Sequence, residues 1–375
     1  MLYKEFKEKK LSLLGFGMMR LPVNEDKTIN QELTNKLVDL AIEHGVNYFD
    51  TAIFYHDRTS EKATGIALSR YPRDSYNLAT KYHVLTYKED GKTPAEVFEG
   101  QLEKCGVDYF DFYLLHNVSD KTIDDYLSEE IGCIDYFIKQ KELGRIKHLG
   151  FSCHGSLECL KRFLEIMDGK MEFCQLQINY VDWTMQQGKE KVDLLREHNI
   201  PLWIMEPVRG GRIAKFNDEI TAKFKALRPD DSIAKWAFRF VQGIDIVGMI
   251  LSGMSSMEHV EDNLKTFVEY DPLNKDEQAL LDEVADFVKD NVPCTGCEYC
   301  KPNCPLGIDI PEMIKHYNNM RVAVSKEDLD YINSLDDTLK PSACLSCGAC
   351  TNACPQNIDV LDIMTKTNKL YEGNK

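Results

Sequence analysis

The sequence lacks the features that would place the protein in a membrane, on nucleic acid or outside the cell. No segment approaches 18 uninterrupted apolar residues, so no membrane-spanning helix is predicted. The formal net charge of -16 argues against nucleic acid and anionic membranes as main partners, because both bind clustered Lys and Arg. The N-terminal segment MLYKEFKEKKLSLLG lacks the apolar core and the small-residue cleavage site of a secretory signal. We therefore expect a protein of the reducing cytoplasm.

The sequence also lacks a glycine-rich phosphate-binding loop after its first predicted strand. GFGMMRLP contains only Gly15 and Gly17 and ends in a proline, which does not fit an open, doubly wound sheet. Between about residues 12 and 268, short β-rich segments alternate with amphipathic helical ones, and this pattern predicts an α/β fold, a closed (β/α)8 TIM barrel. The predicted strands are LSLLGFG (11–17), NYFDTA (47–52), YNLATK (76–81), FDFYLLH (110–116), IKHLGFS (146–152), FCQLQIN (173–179), PLWIMEP (201–207) and GMILSGM (248–254).

The alternation ends after residue 272. A charged helix is predicted over residues 276–291, with Leu280, Leu281, Val284 and Phe287 on its buried face. Beyond Pro293 no strands are predicted, and groups of cysteines separate short helices. We therefore predict a barrel over residues 1–272, a linker helix over 273–291 and a small, mainly α-helical domain over 292–375.

Cysteine, in contrast, is plentiful, and eight of the 13 cysteines form two runs with the spacing CxxCxxCxxxCP. Structural zinc sites usually take paired CxxC knuckles and often His, which neither run offers, and disulfides are rare in a reducing compartment. The spacing instead predicts two [4Fe–4S] clusters. The cluster ligands would be Cys294, Cys297, Cys300, Cys304, Cys344, Cys347, Cys350 and Cys354, whereas the dispersed Cys105, Cys133, Cys153, Cys159 and Cys174 are expected to be buried thiols.

The two runs resemble those of bacterial two-cluster ferredoxins, in which the fourth Cys of each run binds the other cluster. This resemblance implies one cluster on Cys294, Cys297, Cys300 and Cys354, and another on Cys344, Cys347, Cys350 and Cys304. The long helical segment between the runs is more typical of a helical ferredoxin-type domain than of a compact ferredoxin.

Four polar residues follow the carboxyl ends of consecutive predicted barrel strands: Asp50, Tyr55, Lys81 and His116. Side chains at this end of a parallel barrel form its active site. A nearby ammonium would lower the pKa of a Tyr towards the useful range for proton donation, a carboxylate would hold that ammonium, and His would orient a carbonyl oxygen. Singly, each has a structural alternative, such as a helix cap, loop packing or a core histidine.

The motifs NYFDTAIFYHDRTSE, LATKYH and FYLLHNV resemble the aldo-keto reductases, which are NAD(P)-dependent (β/α)8 barrels with an Asp, Tyr, Lys, His tetrad. The resemblance implies that Asp50, Tyr55, Lys81 and His116 are that tetrad, with Tyr55 as the general acid in reduction of an aldehyde or ketone. It also implies cofactor contacts at Gly17, Met18, Ser152, Gln175, Met205, Ser255, Asp262 and Asn263.

Three departures from the family pattern concern the cofactor. Cys153 replaces the usual Asn beside Ser152, and Met205 replaces an aromatic ring that often stacks on the nicotinamide. GMSSMEHVEDN, the segment matching the adenosine site, contains no Lys or Arg for a 2′-phosphate, and His259 is the nearest candidate. NADPH is the family expectation, and NADH is its rival.

How the two predicted domains cooperate stays open at this point. A hydride carries two electrons, each cluster accepts one, and no flavin motif is present to split the pair. The protein could be a carbonyl reductase with structural or sensing clusters, a reductase exchanging electrons with an external partner protein, or a redox-sensing regulatory subunit that turns over slowly. The intact tetrad favours an enzyme. Trp183 is expected either in the substrate pocket wall or in the core.

Overall fold

The computed structural model describes residues 1–216, 218–289, 291–322 and 326–374. The chain forms two compact units, Met1–Leu281 and Asp282–Lys375. Within the described ranges, no helix is both long enough and apolar enough to cross a bilayer.

All eight predicted barrel strands are present in the first unit, and the fold prediction is confirmed. The barrel strands are β3 (Leu14–Gly17), β4 (Tyr48–Asp50), β5 (Asn77–Tyr82), β6 (Phe110–Val118), β7 (Ile146–Cys153), β8 (Cys174–Gln177), β9 (Leu202–Met205) and β10 (Val247–Gly253). They form a closed parallel barrel in the order β10-β3-β4-β5-β6-β7-β8-β9. Nearly all of their residues are buried, as expected for parallel strands covered by helices on the outside.

Helices follow the barrel strands. Those of the first unit are α1 (Gln31–Glu43), α2 (Ser60–Leu68), α3 (Leu85–Lys88), α4 (Pro94–Cys105), α5 (Ile123–Tyr126), α6 (Cys133–Glu142), α7 (Leu157–Ile166), α8 (Asp182–Met185), α9 (Gly188–Glu197), α10 (Asp218–Leu227), α11 (Ile233–Gln242) and α12 (Met257–Thr266). Local sequence sets several ends: Asn30 caps α1, and Thr93 with Glu96 forms a capping box at α4. The dispersed Cys105, Cys133, Cys153, Cys159 and Cys174 are buried free thiols, as predicted.

A β-hairpin at the N-terminus packs against residues of the barrel. It was not predicted from the sequence. Its strands, β1 (Tyr3–Phe6) and β2 (Lys9–Ser12), pair antiparallel. The buried Phe6 ring contacts Trp203, with ring centroids 4.9 Å apart, and Phe112, at 5.7 Å. These contacts fill the barrel interior with aromatic side chains. The two strands were missed because four of their eight residues are Lys or Glu, which hides the apolar pattern.

The charged helix α13 (Lys275–Lys289) forms close to its predicted position. Leu280, Leu281 and Val284 are buried as expected, but Phe287 is 40% exposed, so its predicted burial is wrong. The second unit continues with α14 (Ile310–Val322), α15 (Lys326–Ser334), α16 (Ala349–Ala353) and α17 (Val360–Glu372).

The second unit contains an internal repeat in which each cysteine run leads into a 13-residue helix, α14 or α17, and these two helices pack together. Each CxxCxxC turn has two residues in the left-handed region. These are Gly296 and Glu298 in the first turn (φ 69° and 66°), and Ser346 and Gly348 in the second (φ 52° and 77°). Each turn therefore places one non-glycine residue in a conformation that side chains rarely adopt.

Candidate active site and cluster ligands

The barrel rim brings the predicted Asp50, Tyr55 and Lys81 into direct contact. Asp50 is the last residue of β4, and Lys81 lies on the adjacent strand β5. The Lys81 ammonium donates to a carboxylate oxygen of Asp50, to the Thr51 carbonyl at 2.8 Å and to the Tyr55 hydroxyl at 3.2 Å. The three donor sites of an ammonium are thus all used, and Lys81 links the carboxylate to the phenol.

Burial shapes the electrostatics of this linked group. It raises the pKa of Asp50 and lowers the pKa of Lys81, while the ion pair between them opposes both shifts. An unpaired ammonium at this depth would be costly, so Asp50 is what allows Lys81 to remain there as a cation.

The pKa of Tyr55 runs against the expectation from the sequence. Burial raises it well above its usual value, the negative charges of Asp50 and Glu206 raise it further, and the Arg20 guanidinium opposes them. The prediction that the pKa of Tyr55 is lowered towards the useful range for proton donation is therefore wrong. The consequence is a phenol that keeps its proton, which is the form that a proton donor requires.

His116 lies beside this group as a neutral imidazole. Its ring faces the edge of the Tyr55 ring at 5.9 Å between centroids. Burial lowers the pKa of His116 well below its usual value, and the charges of the neighbouring His83 and Lys81 lower it further. Its Nδ1 atom is buried without a hydrogen-bond partner among the described residues. A neutral His here can donate a hydrogen bond to a carbonyl oxygen without bringing a second cation next to Lys81.

Sequence reasoning missed a second histidine at this rim. His83 lies two residues after Lys81, and its ring is 5.4 Å from that of His116. Burial, with the charge of His154 adding to it, lowers the pKa of His83 to about 3. The strand-end rule that found Lys81 also applies to LATKYH, and could have found His83.

A buried carboxylate, Glu61, helps to position the strand that carries Lys81, and it was not identified from the sequence. Glu61, on α2, accepts hydrogen bonds from Thr80 at 2.7 Å and from the Gln101 amide at 2.6 Å. The same amide donates to the Lys81 carbonyl at 2.9 Å, and Lys104 pairs with Glu61 at 3.1 Å. Glu61 therefore fixes the β5 backbone that carries Lys81.

The predicted nicotinamide contacts lie on neighbouring strands. Ser152 and Gln175 occupy paired positions on β7 and β8, and both are buried. The Oε1 atom of Gln175 is buried without a hydrogen-bond partner among the described residues, so it can accept from a carboxamide. The Ser152 hydroxyl accepts from the Asn117 amide at 2.8 Å. At the end of β3, Gly17 precedes Met18, whose carbonyl accepts from Ser60 at 2.9 Å.

The other predicted cofactor contacts are spread over β9 and α12. Met205 ends β9 and is half-buried. Ser255 lies just before α12, and its hydroxyl is 3.2 Å from His259 Nδ1. Asp262 accepts from the Ser232 hydroxyl at 2.7 Å, and Asn263 donates to the Ser252 hydroxyl at 2.8 Å, so both already serve local packing. Trp183 packs edge-on against Phe240 at 5.6 Å between ring centroids.

The second unit contains two cysteine-lined cavities, and each takes its fourth cysteine from the other run. Together with the solvent at their open mouths, they enclose about 320 and 380 Å³. The smaller cavity is lined by Cys294, Cys297, Cys300 and Cys354, and the larger one by Cys304, Cys344, Cys347 and Cys350. These are the two crossed sets that the ferredoxin resemblance implied.

The thiols within each set act on one another electrostatically. Burial raises the pKa of Cys297 to about 11, and the charges of Cys354 and Cys294 contribute. In the other set, burial raises the pKa of Cys350, and Cys344 and Cys304 contribute. Among the residues that the structure describes, no three His, Cys, Asp or Glu side chains are arranged to hold a single metal ion. The four cysteines that line each cavity match the four thiolates that a [4Fe–4S] cluster takes.

Comparison with known proteins agrees with both units. The model of the aldo/keto reductase family matches residues 13–286, and the 4Fe-4S dicluster domain model matches residues 293–358. L-galactose dehydrogenase from Arabidopsis thaliana is 25% identical over 300 residues, covering 72% of this chain and 89% of that protein. An uncharacterized oxidoreductase from Bacillus subtilis, YqkF, is 24% identical over 286 residues, or 68% of this chain and 87% of its own.

Solved structures show the same barrel fold. The holo form of an aldo-keto reductase from Bacillus halodurans superposes with a TM-score of 0.60 at 24% identity, covering 76% of this chain and 96% of that one. An aldo-keto reductase from Klebsiella pneumoniae, solved in complex with NADPH, gives a TM-score of 0.61 at 19% identity with the same coverage. The chain therefore belongs to the aldo/keto reductase family and carries a 4Fe–4S dicluster domain C-terminal to its barrel.

Proposed function

We propose that the barrel unit reduces the carbonyl group of a small aldehyde or ketone with NAD(P)H, and that Tyr55 donates the proton. The observation that carries this proposal is the Lys81 ammonium, which joins the buried Asp50 to the Tyr55 hydroxyl. The NADPH complex of the similar Klebsiella pneumoniae enzyme supports a nicotinamide dinucleotide as the reductant. Ser152 and Gln175 would hold its carboxamide.

In this proposal each tetrad residue has one task. A bound nicotinamide supplies the hydride that adds to the carbonyl carbon. The Tyr55 hydroxyl gives its proton to the carbonyl oxygen, which becomes far more basic than a phenolate as the hydride arrives. Neutral His116 holds that oxygen against Tyr55, and Lys81 stabilises the phenolate until solvent returns a proton. The raised pKa of Tyr55 is compatible with this task, because the phenol keeps its proton until the carbonyl oxygen accepts it.

The cofactor segment does not dictate the choice between NADPH and NADH. Residues 254–263 contain no Lys or Arg, and His259 is the nearest group to pair with a 2′-phosphate. Its Nδ1 atom is already close to Ser255. The proposal therefore covers both reductants.

The second unit has a different task in this proposal, which is to carry single electrons to or from an external redox protein through two [4Fe–4S] clusters. Each cluster exchanges one electron, whereas a hydride moves two together, so carbonyl reduction itself does not need the clusters. The net charge of -16 supports a small-molecule substrate rather than nucleic acid or membrane lipid, and in this proposal the protein acts in the cytoplasm.

Replacing Tyr55 by Phe tests the proposal. Tyr55→Phe removes the donated proton and leaves the ring, so kcat/KM for carbonyl reduction should fall by about 10²–10⁴-fold. Tyr109→Phe is the matched control, because Tyr109 directly precedes β6 at the opposite end of the barrel, and it should stay within about twofold. Steady-state oxidation of NADPH or NADH with an aldehyde panel measures both. Unchanged kcat/KM in Tyr55→Phe would show that the tetrad assignment is wrong.

A further inference from the structure

The two cluster cavities differ in how far their cysteines reach the surface. In the smaller cavity, Cys294 and Cys300 are buried, and neither of its other two cysteines is exposed. In the larger cavity only Cys350 is buried, and Cys347 is exposed. Because electron transfer between proteins requires close approach, the larger cavity is the better placed of the two for exchange with an external protein.

The rim of the larger cavity is apolar and open. Leu345 lies between the two ligands Cys344 and Cys347 and is 62% exposed. Pro305 is exposed and Leu306 is half-buried, and both line the same cavity. We call this surface the Leu345 patch, formed by Asn303, Pro305, Leu306, Leu345 and Cys347. A single exposed Leu needs no explanation, but here it belongs to a group that surrounds a redox site.

The Leu345 patch is also free of charge, in a chain with a net charge of -16. Its residues come from two segments, 302–308 and 341–358, and neither contains Asp, Glu, Lys or Arg. Charged residues make up 28% of the whole chain, whereas none of the 13 residues that line this cavity is charged. A neutral, apolar face adds no charge of its own to the contact, and it suits a small, transient interface.

The two cavities are also adjacent. Ile310 and Val360 line both of them, so these two side chains lie between the cysteine sets. Ile310 begins α14 and Val360 begins α17, and they occupy equivalent places in the internal repeat. An electron that reaches the exposed set therefore has a short path to the enclosed one.

We propose that the cluster held by Cys304, Cys344, Cys347 and Cys350 is the port through which a small iron–sulfur carrier protein, docked on the Leu345 patch, exchanges single electrons with this protein. The inference rests on the electron-transfer role proposed above. Cys304, Cys344, Cys347 and Cys350 would hold the oxidised cluster that takes one electron from the reduced cluster of the carrier, and no bond or proton would be exchanged. Cys294, Cys297, Cys300 and Cys354 would hold the cluster that is reduced through the first.

Rapid-mixing kinetics on the holoprotein test this assignment. The oxidised protein is mixed anaerobically with a two-cluster ferredoxin reduced beforehand, and separately with reduced methyl viologen, while cluster absorbance is followed. Leu345→Glu places a charge in the patch and should slow reduction by the ferredoxin by about tenfold or more, because charges at an interface change association rates. Reduction by methyl viologen, which needs no docking surface, should stay within about twofold.

Two further variants keep the test decisive. Val268→Glu is the matched control, because Val268 is 61% exposed and lies in the barrel unit, and it should leave both rates unchanged. Ser346→Asp adds a charge beside Leu345 without altering it, at a left-handed position that Asp tolerates, and should reproduce the effect if Leu345→Glu loses its cluster.

If ferredoxin reduced the clusters of wild type, Leu345→Glu and Ser346→Asp at equal rates, the Leu345 patch would not be the docking site. If methyl viologen reduced the wild-type clusters and ferredoxin did not, the partner would not be an iron–sulfur carrier protein. Wild-type clusters that neither reagent reduces would instead contradict the proposed electron-transfer role, and so the two failures are distinguishable. Carbonyl reduction, measured in the same samples, should be the same in all three patch and control variants.

Discussion

The barrel rim and the cysteine-lined cavities are both candidate redox sites, but they are built differently. At the rim, Lys81 already has three hydrogen-bond partners and the phenol of Tyr55 is already protonated, so the protein alone fixes the geometry. In the cavities, four cysteines surround each empty space, burial raises the pKa of Cys297 and of Cys350, and the turns contain left-handed residues. The first site is preorganised by the chain, whereas the second requires a bound group to complete it.

The largest expected effect that separates the two is on folding after the metal is removed. Anaerobic chelation should unfold much of residues 282–375, because four thiols per cavity would then be left without the iron that holds them. The barrel should keep its fold, since its core is independent. All three tryptophans, Trp183, Trp203 and Trp236, lie in the barrel unit, so their fluorescence reports that unit alone.

Hydrogen exchange measured on the chelated and reconstituted protein would check this expectation region by region. Amides of α14 and α17 should exchange much faster without iron, and those of β5 and β6 should not. Equal protection of both regions in the chelated protein would contradict the difference drawn here.

A smaller effect tests the crossing of the cysteine runs. Cys354→Ala should remove the same cluster as Cys297→Ala, because both residues line the smaller cavity. Each variant should therefore retain about half of the iron and show the same residual electron paramagnetic resonance spectrum. Cys347→Ala, which belongs to the other cavity, should show the complementary spectrum. If Cys354→Ala matched Cys347→Ala instead, each run would hold its own cluster.

The smallest effect concerns the acid stability of the barrel unit. Burial raises the pKa of Glu277, but hydrogen bonds from Arg239, from the Asn274 amide and from Arg228 outweigh it and lower the pKa to about 2. A carboxyl with a lowered pKa stabilises the fold above its unfolded value of about 4.5, and this contribution is lost as the pH falls from there towards 2.

Urea unfolding followed by tryptophan fluorescence measures this contribution. Wild type should lose stability between pH values of about 5 and about 3, and Glu277→Gln should show a shallower loss over the same window. Glu258→Gln, on the exposed start of α12, is the control and should behave like wild type. Identical slopes in wild type and Glu277→Gln would rule out Glu277 as the source.

Much of the barrel could be predicted because its parallel strands are buried on both faces and therefore form short apolar runs, such as FDFYLLH. The β1–β2 hairpin could not, because Lys and Glu occupy half of its positions and only Phe6, Leu11 and Ser12 are buried. Its stability comes from aromatic contacts with residues over a hundred positions away, which no local pattern shows.

In the site, too, local sequence patterns could be predicted and tertiary contacts could not. Asp50, Lys81 and His116 could be found because strand ends identify them, and the cysteines because their spacing repeats. Glu61 positions Lys81 through Gln101, which lies forty positions further along the chain, so no local sequence pattern could show this contact. The pKa of Tyr55 was predicted in the wrong direction because burial, which together with Asp50 and Glu206 outweighs the Arg20 guanidinium, is a property of the folded chain.

The division of labour between the two units is tested most directly by adding NADPH, and then NADH, to the anaerobic holoprotein without a carbonyl substrate while following the visible absorbance of the clusters. We predict no bleaching over the time in which the protein completes many carbonyl turnovers, and prompt bleaching when reduced methyl viologen follows. Bleaching by NADPH or NADH alone, at a rate that matches turnover, would show that hydride from the barrel feeds the clusters and would contradict the separation of two-electron and one-electron chemistry proposed here.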